Sequence, residues 1–225
     1  MFTLLPSVYT GIDFENTLMD EVGFNVFKYR NYYNGGGVAI GDINSDYLPD
    51  VYLVANNKSN RLYINKGNMQ FKDVTKDAGV AGSHKWSTGV CMVDINGDGL
   101  LDIYVCNSGN IKGDSRANEL FINQGSESGE IPTFIEAATD YGIDDNSFST
   151  HAAFFDYDND GDLDLYVLNN AFRAISTFDL SKNLRHKRDL YGGDKLYRND
   201  GGSFKDVSEI TGIYGSVIGD RKSVV

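Results

Sequence analysis

The chain is poor in basic residues, cysteine, histidine and proline, and it has no long apolar run. Lys and Arg number 20 against 32 Asp and Glu, a formal net charge of −12 over 225 residues. Phosphate contacts need clustered Lys and Arg, so this balance excludes nucleic acid as a partner and favours cations. No apolar run approaches the roughly 18 residues of a membrane-spanning helix, which excludes membrane insertion by this chain. Met1 to Pro6 lacks the basic and apolar regions of a signal peptide. Two cysteines, Cys91 and Cys106, make no disulfide framework. His84, His151 and His186 are scattered, with no Ser/His/Asp, Cys/His or zinc pattern around them. Proline occurs 3 times, whereas Gly occurs 25 times, Tyr 14 and Phe 13. Many turns with many aromatic and β-branched residues indicate short strands rather than long helices.

Self-similarity organises the rest. Val38 to Val54, Val90 to Cys106 and Ala152 to Leu168 align without gaps. Each has an acidic loop between two apolar stretches. A Leu-aromatic-x-Asn element follows at Leu62 to Asn65, Leu120 to Asn123 and Leu196 to Asn199. A Phe-x-acidic element closes each unit at Phe71, Phe134 and Phe204, ahead of Gly79, Gly142 and Gly212. Four short strands per unit of ~40–50 residues mark β-propeller blades, which must stack to bury their faces. The expected units are 38–80, 88–143 and 150–213, within a propeller segment 1–219. The fold class is all-β, with blades of four antiparallel strands in an incomplete ring of about three to four. Residues 1–12 match the end of a unit and are expected to supply the outer strand of a closing blade that is missing here. Residues 220–225 fit no repeat position and are expected to be a non-native tail. An insertion at 171–193 carries Lys182, Arg185, His186, Lys187 and Arg188. It reads as a solvated segment or, more sharply, a partner-binding loop.

In each acidic loop oxygen-bearing side chains stand at positions 1, 3, 5 and 9. They are Asp42, Asn44, Asp46 and Asp50; Asp94, Asn96, Asp98 and Asp102; and Asp156, Asp158, Asp160 and Asp164. The carbonyls of Leu48, Leu100 and Asp162 fall at position 7. Converging carboxylates repel unless a cation sits among them, and hard oxygen donors in this number select Ca²⁺. About three structural Ca²⁺ ions are expected. An EF-hand would need Glu at position 12, where Leu53, Val105 and Val167 stand. Gly99 and Gly161 occupy position 6, where a left-handed turn is expected; Tyr47 departs there. The first site is therefore expected to bind most weakly or to keep a different turn.

These loops, with Leu-Tyr-x-Asn and Phe-x-Asp-Val-Thr, resemble the FG-GAP/VCBS repeat family, particularly its bacterial exported members associated with an ASPIC/UnbV module. The resemblance covers residues 2–219. It implies an integrin-α-like propeller, usually seven-bladed, with Ca²⁺ in its loops. It further implies an extracellular or cell-surface module that binds protein or glycan. The export signal is expected to lie in a missing N-terminus. The alternative is the propeller scaffold of a secreted polysaccharide- or lipid-degrading enzyme, which would need acid/base groups outside the loops.

Three smaller expectations follow. Pairing of Val93 with Ile103 would put Cys91 and Cys106 on opposite sheet faces as free thiols. Trp86, Tyr52, Tyr104 and Tyr166 should fill inter-blade packing. Asn57-Lys58-Ser59 is a formal glycosylation sequon.

Overall fold

The computed structural model describes residues 3–109, 114–127, 130–170 and 188–213. Twelve strands form three four-stranded antiparallel sheets, each in sequence order. Sheet 1 holds β1 (Val38–Gly41), β2 (Asp50–Leu53), β3 (Arg61–Asn65) and β4 (Phe71–Asp73). Sheet 2 holds β5 (Ser87–Val93), β6 (Asp102–Asn107), β7 (Glu119–Asn123) and β8 (Phe134–Glu136). Sheet 3 holds β9 (Ser149–Phe155), β10 (Asp164–Asn169), β11 (Lys195–Asn199) and β12 (Phe204–Asp206). Each acidic loop is the hairpin between the first two strands of a sheet.

The period of two along each strand sends alternate side chains to opposite faces, so one sheet contributes to two cores. Between sheets 1 and 2 lie Ala39, Tyr52, Leu62 and Ile64 against Val90, Ile103, Val105 and Phe121. Between sheets 2 and 3 lie Tyr104, Cys106, Leu120 and Ile122 against Ala152, Leu165, Val167 and Tyr197. Val38 and Ile40, on the far face of sheet 1, are 57% and 65% exposed, whereas Val90 and Ala152, the counterparts of Val38, are buried against the preceding sheet, and Met92 and Phe154, the counterparts of Ile40, are partly buried there.

The strands β5 and β9 pass closely. A Cβ on Gly89 would lie 2.6 Å from the Thr150 carbonyl oxygen and 3.0 Å from His151 Cα. Both obstacles are backbone, so the sheets themselves would have to part. Gly89→Ala is expected to destabilise the fold by about 1–3 kcal/mol in urea denaturation, the usual cost of overpacking.

Residues 3–6 form no strand. Among the described residues no strand lies beside them to supply a hydrogen-bond ladder. The following turn nevertheless keeps its place. The single helical turns α1 (Ser7–Thr10), α2 (Thr75–Ala78) and α3 (Ala138–Tyr141) each end on a left-handed glycine. Gly11 sits over the Phe71 carbonyl of sheet 1, as Gly142 sits over the Phe204 carbonyl of sheet 3. Residues 7–11 thus occupy the position of a preceding unit's closing turn.

Residues 13–37 form a strap at the strand ends opposite the acidic loops. Asn16 and Asn56 exchange two hydrogen bonds, Lys58 Nζ donates to the Glu15 carbonyl, Tyr29 Oη meets Ser108 Oγ, and Arg30 donates to Asn170 Oδ1. The strap therefore touches all three sheets. Phe24, Tyr29, Tyr32 and Trp86 pack around one another, with centroid separations of 4.8 to 5.9 Å. Trp86 belongs to this cluster and not to an inter-sheet core, because it precedes β5 at the rim.

Tyr52 and Tyr104 do fill the two inter-sheet cores, and their hydroxyls donate to the carbonyls of Val80 and Ile143. Tyr166 joins neither core, and its hydroxyl donates to Asp194 instead. Asn118 stands at the equivalent of Asp194 in sheet 2, and its amide donates to the Tyr104 hydroxyl. Exchanging amide for carboxylate reverses the direction of that bond.

The cysteine expectation was right about free thiols and wrong about their faces. Cys91 pairs with Tyr104 and Gly89 with Cys106, so Val93 faces Asp102 rather than Ile103. Both cysteines consequently line the core between sheets 2 and 3. Both are free, and burial pushes the Cys91 thiol up to about 11. The insertion at 171–193 lies largely outside the described residues, as does the tail at 220–225.

Candidate metal centre

The three acidic loops are built by one set of backbone contacts. The position-1 carboxylate turns inward over the loop. Asp42 accepts from the Asp46 and Tyr47 amides at 3.0 and 2.8 Å. Asp94 accepts from Gly97, Asp98 and Gly99, and Asp156 from Asp160 and Gly161. The position-5 carboxylates of Asp46, Asp98 and Asp160 accept from the position-7 amides of Leu48, Leu100 and Asp162. Such local bonds hold the chain in tight Asx-type turns.

Position 9 ties the loop to the sheet. Asp50, Asp102 and Asp164 are all 0% exposed. Their Oδ2 atoms accept the position-2 amides of Ile43, Ile95 and Tyr157 at 2.9, 3.1 and 2.7 Å. Their Oδ1 atoms accept the amides of Asn65, Asn123 and Asn199 at 2.7, 2.8 and 2.9 Å. Those three asparagines are the last residues of the Leu-aromatic-x-Asn elements, whose repetition was visible in the sequence while their role was not.

Positions 4 and 6 are left-handed in every loop. Position 6 has φ 67° at Tyr47, 85° at Gly99 and 99° at Gly161. Position 4 has φ 59° at Ser45, 73° at Gly97 and 62° at Asn159. Tyr47 therefore keeps the same turn and bears its conformational cost, with its side chain 93% exposed. The position-4 requirement escaped the sequence reading, because Ser, Gly and Asn share no obvious pattern there.

The loops differ at position 3. In the first two, Asn44 and Asn96 donate their amides to Asp46 and Asp98 at 3.1 and 2.9 Å. Asn44 is only 3% exposed, and its carbonyl oxygen has no partner. A buried acceptor left unpaired costs free energy unless something donates to it or coordinates it. In the third loop Asp158 replaces asparagine. Oxygens of Asp156, Asp158 and Asp164 lie within 4.8 Å of one another. Burial, then the charges of Asp160, Asp164 and Asp156, raise the Asp158 carboxyl. The donor set is entirely oxygen, which suits a hard cation such as Ca²⁺ or Mg²⁺ over zinc.

Burial pushes both Asp50 and Asp102 up to about 6, against the pull of two backbone donors each, and the neighbouring loop carboxylates push the same way. Carboxyls raised above their unfolded value of 3.8 stabilise the native state at low pH. That contribution is lost as pH rises through about 6. The metal-free protein should accordingly lose stability between about pH 4 and pH 6.5 in urea melts. A cation that binds only the ionised form would offset that loss and release protons on binding.

Outside the loops buried and half-buried ionisable groups tie segments together. Glu119 accepts the Ser83 amide and hydroxyl, both at 2.8 Å. Lys195 pairs with Asp145 at 2.5 Å, and His84 faces Asp114 at 3.4 Å.

Residues 42–105 match the FG-GAP-like repeat family. The chain thus carries an FG-GAP-like repeat, within sheets of β-propeller-blade type. It is 30% identical over 187 residues to cartilage acidic protein 1 of Mus musculus and 29% identical over 187 residues to that of Homo sapiens, each alignment taking in 80% of this chain. It is 31% identical over 166 residues, 74% of the chain, to cartilage acidic protein 1 of Xenopus tropicalis. The aligned regions are 28%, 27% and 24% of those proteins, so the chain spans about a quarter of the length of these relatives. Among the described residues no helix is long and apolar enough to cross a membrane.

Proposed function

We propose that the chain is a calcium-binding, non-enzymatic propeller module that works outside the cell by binding a protein or glycan partner. The supporting observation is the threefold loop with a common turn and all-oxygen donors, one of which, Asn44 Oδ1, is buried and unpartnered. Calcium, when bound, supplies the positive charge that the clustered carboxylates lack. Asp42, Asn44, Asp46, Asp50 and the Leu48 carbonyl would hold the first ion. Asp94, Asn96, Asp98, Asp102 and the Leu100 carbonyl would hold the second. The third falls to Asp156, Asp158, Asp160, Asp164 and the Asp162 carbonyl. Three divalent ions would halve the formal charge from −12 to −6.

Loops of this type match the millimolar calcium of extracellular fluid better than a calcium-poor cytosol. The relatives' name places an acidic protein in cartilage, in keeping with an extracellular setting. The non-enzymatic reading draws support from Glu119, Asp145, Lys195 and His84, whose polar groups face structural partners. Calorimetric titration of the chelator-stripped protein with calcium chloride tests the proposal. About three ions per chain are expected; absence of binding at millimolar calcium would refute it.

A further inference from the structure

The three loops are not mechanically equivalent. Asn65, Asn123 and Asn199 each use their side-chain amide to hold the position-8 carbonyl of their own loop, at Pro49, Leu101 and Leu163. Of these three asparagines, Asn123 alone extends its second amide hydrogen across the sheet boundary to a neighbouring loop. It donates to the Ile43 carbonyl of the first loop at 3.0 Å. Ile43 stands between the donor positions Asp42 and Asn44, and its own amide is held by Asp50. The backbone amide of Asn123 is held by Asp102, position 9 of the second loop. A chain of buried bonds thus runs from Asp102 through Asn123 to Ile43 and Asp50.

A second contact reinforces it. Leu101, at position 8 of the second loop, packs on Gly41, the residue before Asp42; a Cβ there would lie 2.6 Å from Leu101 Cδ1. In sheet 3, the side-chain amide of Asn199 donates, among the described residues, only to Leu163, within its own loop.

We infer that the first and second loops bind their cations with positive cooperativity, that Asn123 is the positioning residue that couples them, and that the third loop binds independently. This rests on the calcium reading above. An ion in the second loop orders Asp102 and Leu101. Asn123 and Leu101 then hold Ile43 and Gly41 in place, so the first loop binds with less ordering still to be done. One shared buried hydrogen bond and one packing contact correspond to a coupling of roughly threefold to tenfold in affinity.

The test is a double-mutant cycle by calcium calorimetry, with the third loop silenced throughout by Asp158→Asn and Asp160→Asn. Silencing the second loop with Asp94→Asn and Asp98→Asn should weaken the first loop's Kd by roughly that factor. Asn123→Leu, which alters no charge, should weaken the first loop to the same level, after which silencing the second loop should add nothing. Asn199→Leu should leave the coupling intact, which separates coupling from a general loss of rigidity. A first-loop Kd indifferent to the state of the second loop, with both still binding, would overturn the coupling and leave the calcium reading standing. Absence of binding at either loop would overturn both. If Asn123→Leu does not fold, the comparison with the silenced second loop decides alone.

Discussion

In saturating calcium the protein is expected to melt on the order of 5–10 °C higher, per ion bound, than in EDTA. An ion that binds only the native state adds about 2.7 kcal/mol when it is present at a hundred times its Kd. For a chain of this size each kcal/mol moves the melting temperature by about 2–4 °C. The loops justify assigning the whole effect to the native state. Their oxygens converge only when positions 4 and 6 are left-handed and position 9 is locked to the neighbouring strand, and none of that survives unfolding. Differential scanning calorimetry in calcium and in EDTA, at equal ionic strength, measures it. Magnesium should give a smaller shift, because it demands stricter octahedral geometry. Identical melting curves would remove the structural role given to the ions.

The second large effect separates the two tasks of the loop carboxylates. Asp102→Ala should cost about 3–5 kcal/mol even in EDTA, because it orphans the buried amides of Ile95 and Asn123 and leaves a small cavity. Asp98 is exposed, and its backbone partner Leu100 and side-chain partner Asn96 can turn to water. Asp98→Ala should therefore cost under about 1 kcal/mol in EDTA. In calcium both variants also lose the second loop's ion, so the cost of Asp98→Ala rises by about 2.7 kcal/mol at a hundredfold excess over Kd, while Asp102→Ala stays the more damaging. Urea denaturation with and without calcium reads both variants. Equal losses in EDTA would show that position 9 is no more structural than position 5.

The strand plan was legible because it was written three times. Alternation around Tyr52, Tyr104 and Tyr166 and the recurrence of Leu-aromatic-x-Asn and Phe-x-acidic predicted four strands per unit, and each unit shows them. The loop residues could be named from spacing alone, since steps of two in a tight turn bring oxygens to one side. The division of labour among them could not. Position 9 reads as one more carboxylate in the sequence, yet in the fold it is fully buried between two amides. Asn123 and Asn199 are the same letter at the same place, and only one reaches a neighbouring loop. Single departures misled where the pattern was local. Tyr47 is expected either to weaken the first site or to alter its turn; the turn is the same as in the other loops, held by the bonds to Asp42 and Asp50. Cys91 and Cys106 were placed on opposite faces because a pairing one residue out exchanges every face.

By itself the amino-acid order determined the class of fold, the acidic loops and their hard-oxygen chemistry, because all three depend on short-range periodicity and residue type. Tertiary structure decided which of the loop carboxylates also serve the sheet, where Trp86 and the strap residues pack, and which loops touch. Those outcomes depend on contacts between residues 15 to 140 positions apart, such as Asp50 with Asn65, Asn123 with Ile43 and Arg30 with Asn170. Repetition along the chain is blind to them, because identical units acquire different neighbours once they stack.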